Sequence, residues 1–174
     1  MQQQGIILGI DPGLAHTGWG IIEHAGSKLA CLAYGCVETG SADTLPVRLK
    51  KIHDQIAAVV GRYKPSARGI ESVWFGENTS SAFATGQARG AALVACAGLE
   101  VTEFTPRQIK LAVVGTGTAE KEQVAYMVQQ LLGLDAPPTP DHAADALAAA
   151  ICFTSQNALV AQLNSHTAMP EGKT

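Results

Sequence analysis

An aspartate at the tip of a glycine-rich hairpin is the first position in this sequence where chemistry is expected. Asp11 follows the apolar run at residues 6–10 and precedes the breaking pair Pro12-Gly13, so a buried strand meets a turn there. An unpaired buried charge is costly, whereas a strand end is open to ligands. The position therefore favours a binding or catalytic role. The alternative is an aspartate that only caps its own turn.

Two other segments place acidic side chains at element ends. A predicted strand at residues 67–73 carries Glu71 near its end. Residues 137–153 are typical of a helix, with Thr139 as N-cap and Pro140 at the first position. The first two turns of this helix contain three polar side chains: Asp141, His142 and Asp145.

The spacing of these three side chains allows two different ligand pairs. His142 and Asp145 are i,i+3 neighbours, and Asp141 and Asp145 are i,i+4 neighbours, so either pair can lie on one helix face. The spacing alone leaves both pairs open.

Carboxylates brought together are electrostatically unfavourable unless a cation binds them, and oxygen-rich sites suit Mg²⁺ or Mn²⁺. A two-metal site needs carboxylates contributed by several elements. Asp11, Glu71 and Asp145 could supply them. The alternative is that these three acids never meet in space.

Five segments in this order resemble the RuvC family of bacterial Holliday junction resolvases, the crossover junction endodeoxyribonucleases. The resemblance runs from about residue 5 to residue 155. The segments are GIDPGLAHTGWG, IESVWFGEN, ATGQARGAALVA, TPRQIKLAVVGTGTAEKEQV and DHAADALA.

The resemblance implies a ribonuclease H-like fold, a homodimer, and divalent-metal cleavage of two symmetry-related phosphodiesters in a four-way DNA junction. It implies 5′-phosphate and 3′-hydroxyl products in DNA recombination and repair, and branch-migration partners of the RuvA and RuvB type. Catalytic and metal-ligand roles carry over to four positions, with two Mg²⁺ or Mn²⁺ ions expected per site: Asp11, Glu71, His142 and Asp145. His142 departs from the four-carboxylate pattern common in the family, and its nitrogen favours Mn²⁺.

The same resemblance suggests DNA contacts. The family's junction-inserting aromatic falls on Trp74, beside Phe75, and loop aromatics near a nuclease site can wedge between bases. The alternative is a locally packed tryptophan. The family's basic contacts fall on Lys110 and Lys121, which flank the glycine-rich segment at residues 115–118.

Two further bases, Arg89 and Arg107, lie in the same part of the chain and are added as DNA-contact candidates. For any single base, the alternative is a solvated helix face. The formal net charge of −3 argues mildly against DNA binding, although part of it belongs to the predicted metal site.

A small-residue helix is predicted at residues 80–97, with Gly86 and Gly90 where another backbone must approach closely. In the resembled family this helix forms the dimer contact. The alternative is tight packing on the protein's own sheet.

The remaining pattern predicts an α/β domain at residues 1–155 and a polar, flexible tail at 156–174. About five strands, the first three antiparallel, are expected in a mixed sheet with helices on both faces. No signal peptide or membrane span is indicated, and the four cysteines lack metal-site spacing, so a cytoplasmic protein with reduced thiols is expected.

Two other functions are compatible with parts of the sequence. One is a catalytically silent junction-binding protein on the same fold. The other is a relative of the actin-like ATPases and sugar kinases, whose first phosphate-binding hairpin the segment GIDPGLAHTG also resembles. Those proteins clamp ATP between two such domains, and this chain has residues for one.

Overall fold

A computed structural model describes residues 4–72 and 79–167 of the chain. Five strands form one sheet in the order β3-β2-β1-β4-β5. The strands are β1 (Gln4–Asp11), β2 (His16–Ala25), β3 (Lys28–Glu38), β4 (Ala67–Glu71) and β5 (Glu100–Phe104). β1, β2 and β3 pair antiparallel, whereas β4 pairs parallel with both β1 and β5. The predicted mixed sheet is confirmed.

Helices cover both faces of this sheet. They are α1 (Leu45–Tyr63), α2 (Thr79–Ala95), α3 (Pro106–Val114), α4 (Lys121–Leu132) and α5 (Asp141–Thr167). One core joins α3, α4 and α5 to the sheet, and a second core joins α1 and α2 to its other face. Among the described residues, no helix is both long enough and apolar enough to cross a membrane.

The alternation of side chains along β1 separates these two cores. Leu8 and Ile10 are fully buried against α1 and α2, whereas Ile7 packs on the side of α5. Gly9 and Asp11 share the face of Ile7 because successive strand residues point to opposite sides. Asp11 therefore points to the face that α5 covers.

Glycines on this face allow α5 to lie directly on the sheet. A Cβ atom on Gly9 would lie 1.8 Å from the carbonyl oxygen of Ala146, and one on Gly18 would lie 1.8 Å from that of His142. Any larger residue would push the helix away. Because Gly18 pairs with Asp11 in the β1-β2 ladder, its missing side chain brings the first turns of α5 next to Asp11.

Two element ends differ from the sequence-based expectation. The carbonyl of Pro140 accepts the N–H groups of Ala143 and Ala144, so Pro140 stands at the cap position. The prediction that Thr139 caps this helix with Pro140 inside it was wrong by one residue. At its other end α5 continues to Thr167, beyond the predicted domain end at residue 155. The domain boundary and the flexible tail stay predictions.

Candidate active site

The first two predicted acids lie side by side at the carboxyl ends of neighbouring strands. β1 and β4 are parallel, and Ile10 is in register with Ile70, so Asp11 and Glu71 come next on each strand. Gly69 also faces α5, because a Cβ there would lie 2.5 Å from the carbonyl oxygen of Ala149. The two-residue period of a strand then turns Glu71 toward α5 as well.

The helix supplies the other two groups. The Nδ1 atom of His142 lies 2.7 Å from Oδ2 of Asp11. Potential ligand atoms of Asp11, His142 and Asp145 all lie within 4.8 Å of one another. Of the two ligand pairs that the helix spacing left open, the i,i+3 pair is thus the one that meets Asp11.

Asp141 is on the outer side of this group. Its side chain is 75% exposed, and its Oδ2 lies 3.5 Å from Nζ of Lys121. The same ammonium lies 3.1 Å from Oδ2 of Asp145. Lys121 therefore joins Asp141 to the edge of the acidic group.

The electrostatics of Glu71 show how crowded the acids are. Burial raises the pKa of Glu71 from an ordinary value near 4.5 to about 7, and the charges of Asp11 and Asp145 add to the rise. Burial also raises the pKa of Asp145, against the opposing effect of Lys121. A cation bound among these groups would remove the repulsion.

The pKa values of the two basic groups of the site, His142 and Lys121, are also raised. The hydrogen bond with Asp11 raises the pKa of His142, against the opposing effect of its partial burial. Partial burial acts to lower the pKa of Lys121, but its bonds to Asp145 and Asp141 raise it overall. These raised pKa values favour the charged form of each side chain beside the carboxylates.

The chemistry of this donor set fits a hard or borderline divalent metal. Carboxylate oxygens suit Mg²⁺ and Mn²⁺, and one imidazole nitrogen is acceptable to Mn²⁺. A shared metal also requires that its ligand atoms lie close together, and here they come from the end of a strand and the start of a helix. Asp11, His142 and Asp145 therefore fit the metal that the sequence implies. Glu71 is a described residue but is not part of this group of ligand atoms.

A pocket opens beside the carboxylates and could admit part of a substrate. Its volume is about 200 Å³, and it lies between the acids and the predicted bases of α3 and α4. Its polar lining comprises Glu71, Asp145, Lys110 and Lys121. Lysine ammonium groups next to a metal-type site are suited to a phosphate group.

The other DNA-contact candidates lie in different places. Arg107 is exposed, and its Cγ atom would lie 2.6 Å from a Cβ on Gly117, so this glycine lets the arginine cover the loop after α3. Arg89 lies on α2, on the opposite face of the sheet, and forms an ion pair with Glu103. The structure does not bring Arg89 to the acidic group. Trp74 and Phe75 lie outside the described residues.

The glycine-rich segment between α3 and α4 has a structural role of its own. Gly115 has a φ of 88° and ends α3, a conformation that favours glycine. Its N–H donates to the carbonyl of Leu111, and a capping box at Glu120 then starts α4. These glycines alone therefore do not indicate a phosphate site.

One residue of the site was missed in the sequence. The ring of His16 stacks on that of His142, with the centroids 5.2 Å apart and the planes 5° from parallel. The available signal was its position in the Asp11 hairpin, two residues before Gly18, which places both residues on the α5 face.

Comparison with known proteins agrees with this geometry. The family model described as crossover junction endodeoxyribonuclease RuvC matches residues 7–153. The chain belongs to the RuvC family. It is 50% identical over 159 residues to the crossover junction endodeoxyribonuclease RuvC of Shewanella frigidimarina, covering 90% of this chain and 91% of that one. With the RuvC of Heliobacterium modesticaldum, it shares 48% identity over 149 residues, or 84% of this chain and 92% of the relative.

A solved structure of another family member has the same fold. T. thermophilus RuvC in complex with Holliday junction substrate superposes with a TM-score of 0.85 at 36% identity, covering 90% of this chain and 96% of that chain. The predicted ribonuclease H-like architecture of this RuvC chain is thereby confirmed.

Proposed function

We propose that this RuvC chain resolves four-way DNA junctions by metal-dependent nicking of two strands, using Asp11, Glu71, His142 and Asp145 as catalytic and metal-binding residues. The observation that supports this most is the grouping of ligand atoms from Asp11, His142 and Asp145 within 4.8 Å, at the end of a RuvC-type sheet. Glu71, with its pKa raised to about 7 chiefly by burial and then by Asp11 and Asp145, belongs to the same charge cluster.

The four catalytic residues would approach the bound metal ions from two elements of the fold, the sheet and α5. Asp11 and Glu71 project from adjacent strand ends, and His142 and Asp145 face them from one helix face. When bound, two divalent ions would activate water for in-line attack and stabilise the leaving 3′-oxygen. Because the 3′-oxygen is the leaving group, cleavage would give a 5′-phosphate and a 3′-hydroxyl.

The lysines around the pocket would orient the DNA backbone. Lys110 and Lys121 line the pocket that Glu71 and Asp145 also line. Their charges offset the repulsion between the acidic group and a phosphate, and they fix the register of the strand without reading its bases. Arg107, Arg89, Trp74 and Phe75 stay sequence-based proposals for further DNA contacts.

The imidazole ligand also bears on the choice of metal. His142 replaces an oxygen ligand by a nitrogen and removes one negative charge from the cluster. Because Mg²⁺ binds oxygen ligands far better than nitrogen ligands, we propose that this site accepts both ions and prefers Mn²⁺.

The working unit is proposed to be a homodimer that joins through α2. Ala88 and Ala92 are buried on the protein's own sheet, but the opposite face of α2 exposes Phe83 by 68% and Val94 by 66%. On that side, a Cβ at Gly90 would meet no atom within 4 Å. An apolar helix face with a glycine in it suits close contact with a second copy, and a two-fold dimer supplies two equal sites for two strands.

Sedimentation velocity of a charged variant tests this dimer. Val94→Glu should convert a dimer to a monomer, because a buried carboxylate would face apolar surface. Val47→Glu is the matched control, since Val47 on α1 is also exposed, by 53%. A monomeric wild type, or equal dissociation by both variants, would contradict dimerisation through α2.

The cellular location and the partner proteins are proposed from the substrate. A junction resolvase works where chromosomal DNA is, so we propose a cytoplasmic location and functional coupling to branch-migration proteins of the RuvA and RuvB type. The four cysteines, all within the described residues, are unpaired, which agrees with a reducing compartment.

A cleavage assay with three substrates tests the proposed function. The protein is incubated with a labelled four-way junction, a linear duplex of the same sequence, and ATP, each with and without Mn²⁺. Symmetric nicks in the junction that need both Mn²⁺ and Asp11 are expected, and Asp11→Asn is the control. Junction binding without nicks would support a silent junction binder, and hydrolysis of ATP would support the actin-like alternative.

A further inference from the structure

We propose that His16 is a positioning residue for His142. Its imidazole stacks on that of His142 and fixes the plane in which the His142 nitrogens face the site. This role rests on the proposed function, in which His142 is a metal ligand. It goes beyond the four site residues because His16 is not a member of the metal-ligand group within the described residues.

The environment of His142 explains why its ring needs a second contact. A single hydrogen bond from Nδ1 to Asp11 fixes one atom of the ring and still allows the ring to tilt about that atom. The side chain is 40% exposed, so core packing does not confine it. A metal ligand must be held within roughly 0.5 Å and 10–20° of its working geometry.

His16 supplies the missing constraint. With centroids 5.2 Å apart and planes 5° from parallel, the two rings form an offset stack. The hydrogen bond to Asp11 then sets where the ring of His142 lies, and the stack sets how it is tilted. The two contacts together leave this partly exposed ring with one orientation.

The backbone around His16 is itself held in place. Thr39 donates its N–H to the carbonyl of Ala15 at 2.9 Å and its hydroxyl to the carbonyl of Leu14 at 2.5 Å. Arg48 on α1 donates from Nε to the hydroxyl oxygen of Thr39 at 2.8 Å. The connection between β1 and β2 is therefore tied to β3 and α1, and an exposed histidine at its end keeps a defined position.

Two substitutions separate ring stacking from other roles of His16. His16→Ala removes the stacking surface, whereas His16→Phe keeps a flat ring and removes the nitrogens. His24→Ala is the matched control because His24 lies on the same strand, is partly exposed, and pairs at the far end of the sheet with Gly5. His142→Ala identifies the ring signals of His142 and tests its role as a ligand.

The first measurement uses metal-free protein. Ring ¹H-¹⁵N nuclear magnetic resonance spectra should show the His142 signals broadened in His16→Ala and close to wild-type width in His16→Phe and His24→Ala. Unchanged His142 signals in His16→Ala would overturn the positioning role. So would equal broadening in His16→Phe, since the nitrogens rather than the ring face would then matter.

The second measurement is Mn²⁺ binding by electron paramagnetic resonance titration. Loss of a group that orients a ligand typically costs 10–100-fold in metal affinity, so His16→Ala should bind Mn²⁺ roughly 10-fold more weakly. His16→Phe should recover most of that affinity. Wild-type affinity in His16→Ala would refute the proposal.

The two measurements distinguish a failure of the metal role of His142 from a failure of the positioning role of His16. If His142→Ala binds Mn²⁺ as tightly as wild type, the proposed metal role of His142 fails. The ring spectra of metal-free protein would still decide whether His16 orients His142.

Discussion

Replacing Glu71 with glutamine should raise the stability of the metal-free protein. In the presence of metal, the same substitution should abolish DNA cleavage. Glu71 is a largely buried carboxyl group beside Asp11 and Asp145, and its pKa is raised to about 7. A carboxyl group with a raised folded-state pKa costs no stability below its unfolded value near 4.5. The cost develops as the pH rises and is fully present above the folded value.

The size of the effect follows from the two pKa values. A rise from 4.5 to about 7 corresponds to roughly 3 kcal/mol at pH 8, at about 1.4 kcal/mol per pKa unit. Glutamine has the same shape and no charge, so Glu71→Gln should recover up to that amount at pH 8 and less than about 1 kcal/mol at pH 5. For a chain of this size, the gain at pH 8 corresponds to roughly 6–12 °C in Tm.

Thermal unfolding in chelator-treated buffer at pH 5 and pH 8 measures this difference. Glu100→Gln is the control, because Glu100 begins β5, at the opposite end of the sheet from Glu71, and is exposed. Adding Mn²⁺ should raise the Tm of wild type more than that of Glu71→Gln. A variant less stable than wild type at pH 8, or a gain of equal size at both pH values, would refute this account of the acidic cluster.

Five further variants, at four positions, have defined outcomes. Lys121→Ala should weaken junction binding and lower the slope of log affinity against log salt by about one unit, measured by fluorescence anisotropy across a salt series. In cleavage assays, His142→Ala should be nearly inactive, His142→Asp should shift preference toward Mg²⁺, and Asp141→Ala should keep most activity. The reverse order for Asp141 and His142 would contradict the assignment of the i,i+3 pair. Trp74→Ala should slow cleavage more than it weakens binding, whereas a lower Tm with full cleavage per folded molecule would identify Trp74 as a packing residue.

Much of the fold could be predicted because local patterns agree with the tertiary structure. β3 (Lys28–Glu38) begins directly after the turn at Gly26-Ser27, and α1 (Leu45–Tyr63) has apolar residues at helical spacing, so both elements follow local sequence signals. The acids at strand ends were also predictable, because a charge directly after a buried strand is seldom a packing residue. The parallel register of β1 and β4 then brings Asp11 and Glu71 together.

The family resemblance favoured His142 over Asp141, but the helix spacing left both open until the tertiary structure was known. Both residues lie in the first turn of α5, and the helical period alone cannot say which one faces the sheet. The close approach of α5 at Gly18 decides it, because it turns His142 toward Asp11 and leaves Asp141 with Lys121. The stacking of His16 depends on the same approach and was missed for the same reason.

Anomalous diffraction from crystals soaked in Mn²⁺ tests the central claim most directly. The account predicts manganese peaks within about 2.0–2.4 Å of ligand atoms from Asp11, Glu71, His142 and Asp145, a range typical of oxygen and nitrogen ligands to divalent metals. The same soak of the Asp145→Asn variant should lose or weaken a peak. Manganese bound at Asp141 and not at His142, or found away from the end of β1, would contradict the proposed active site.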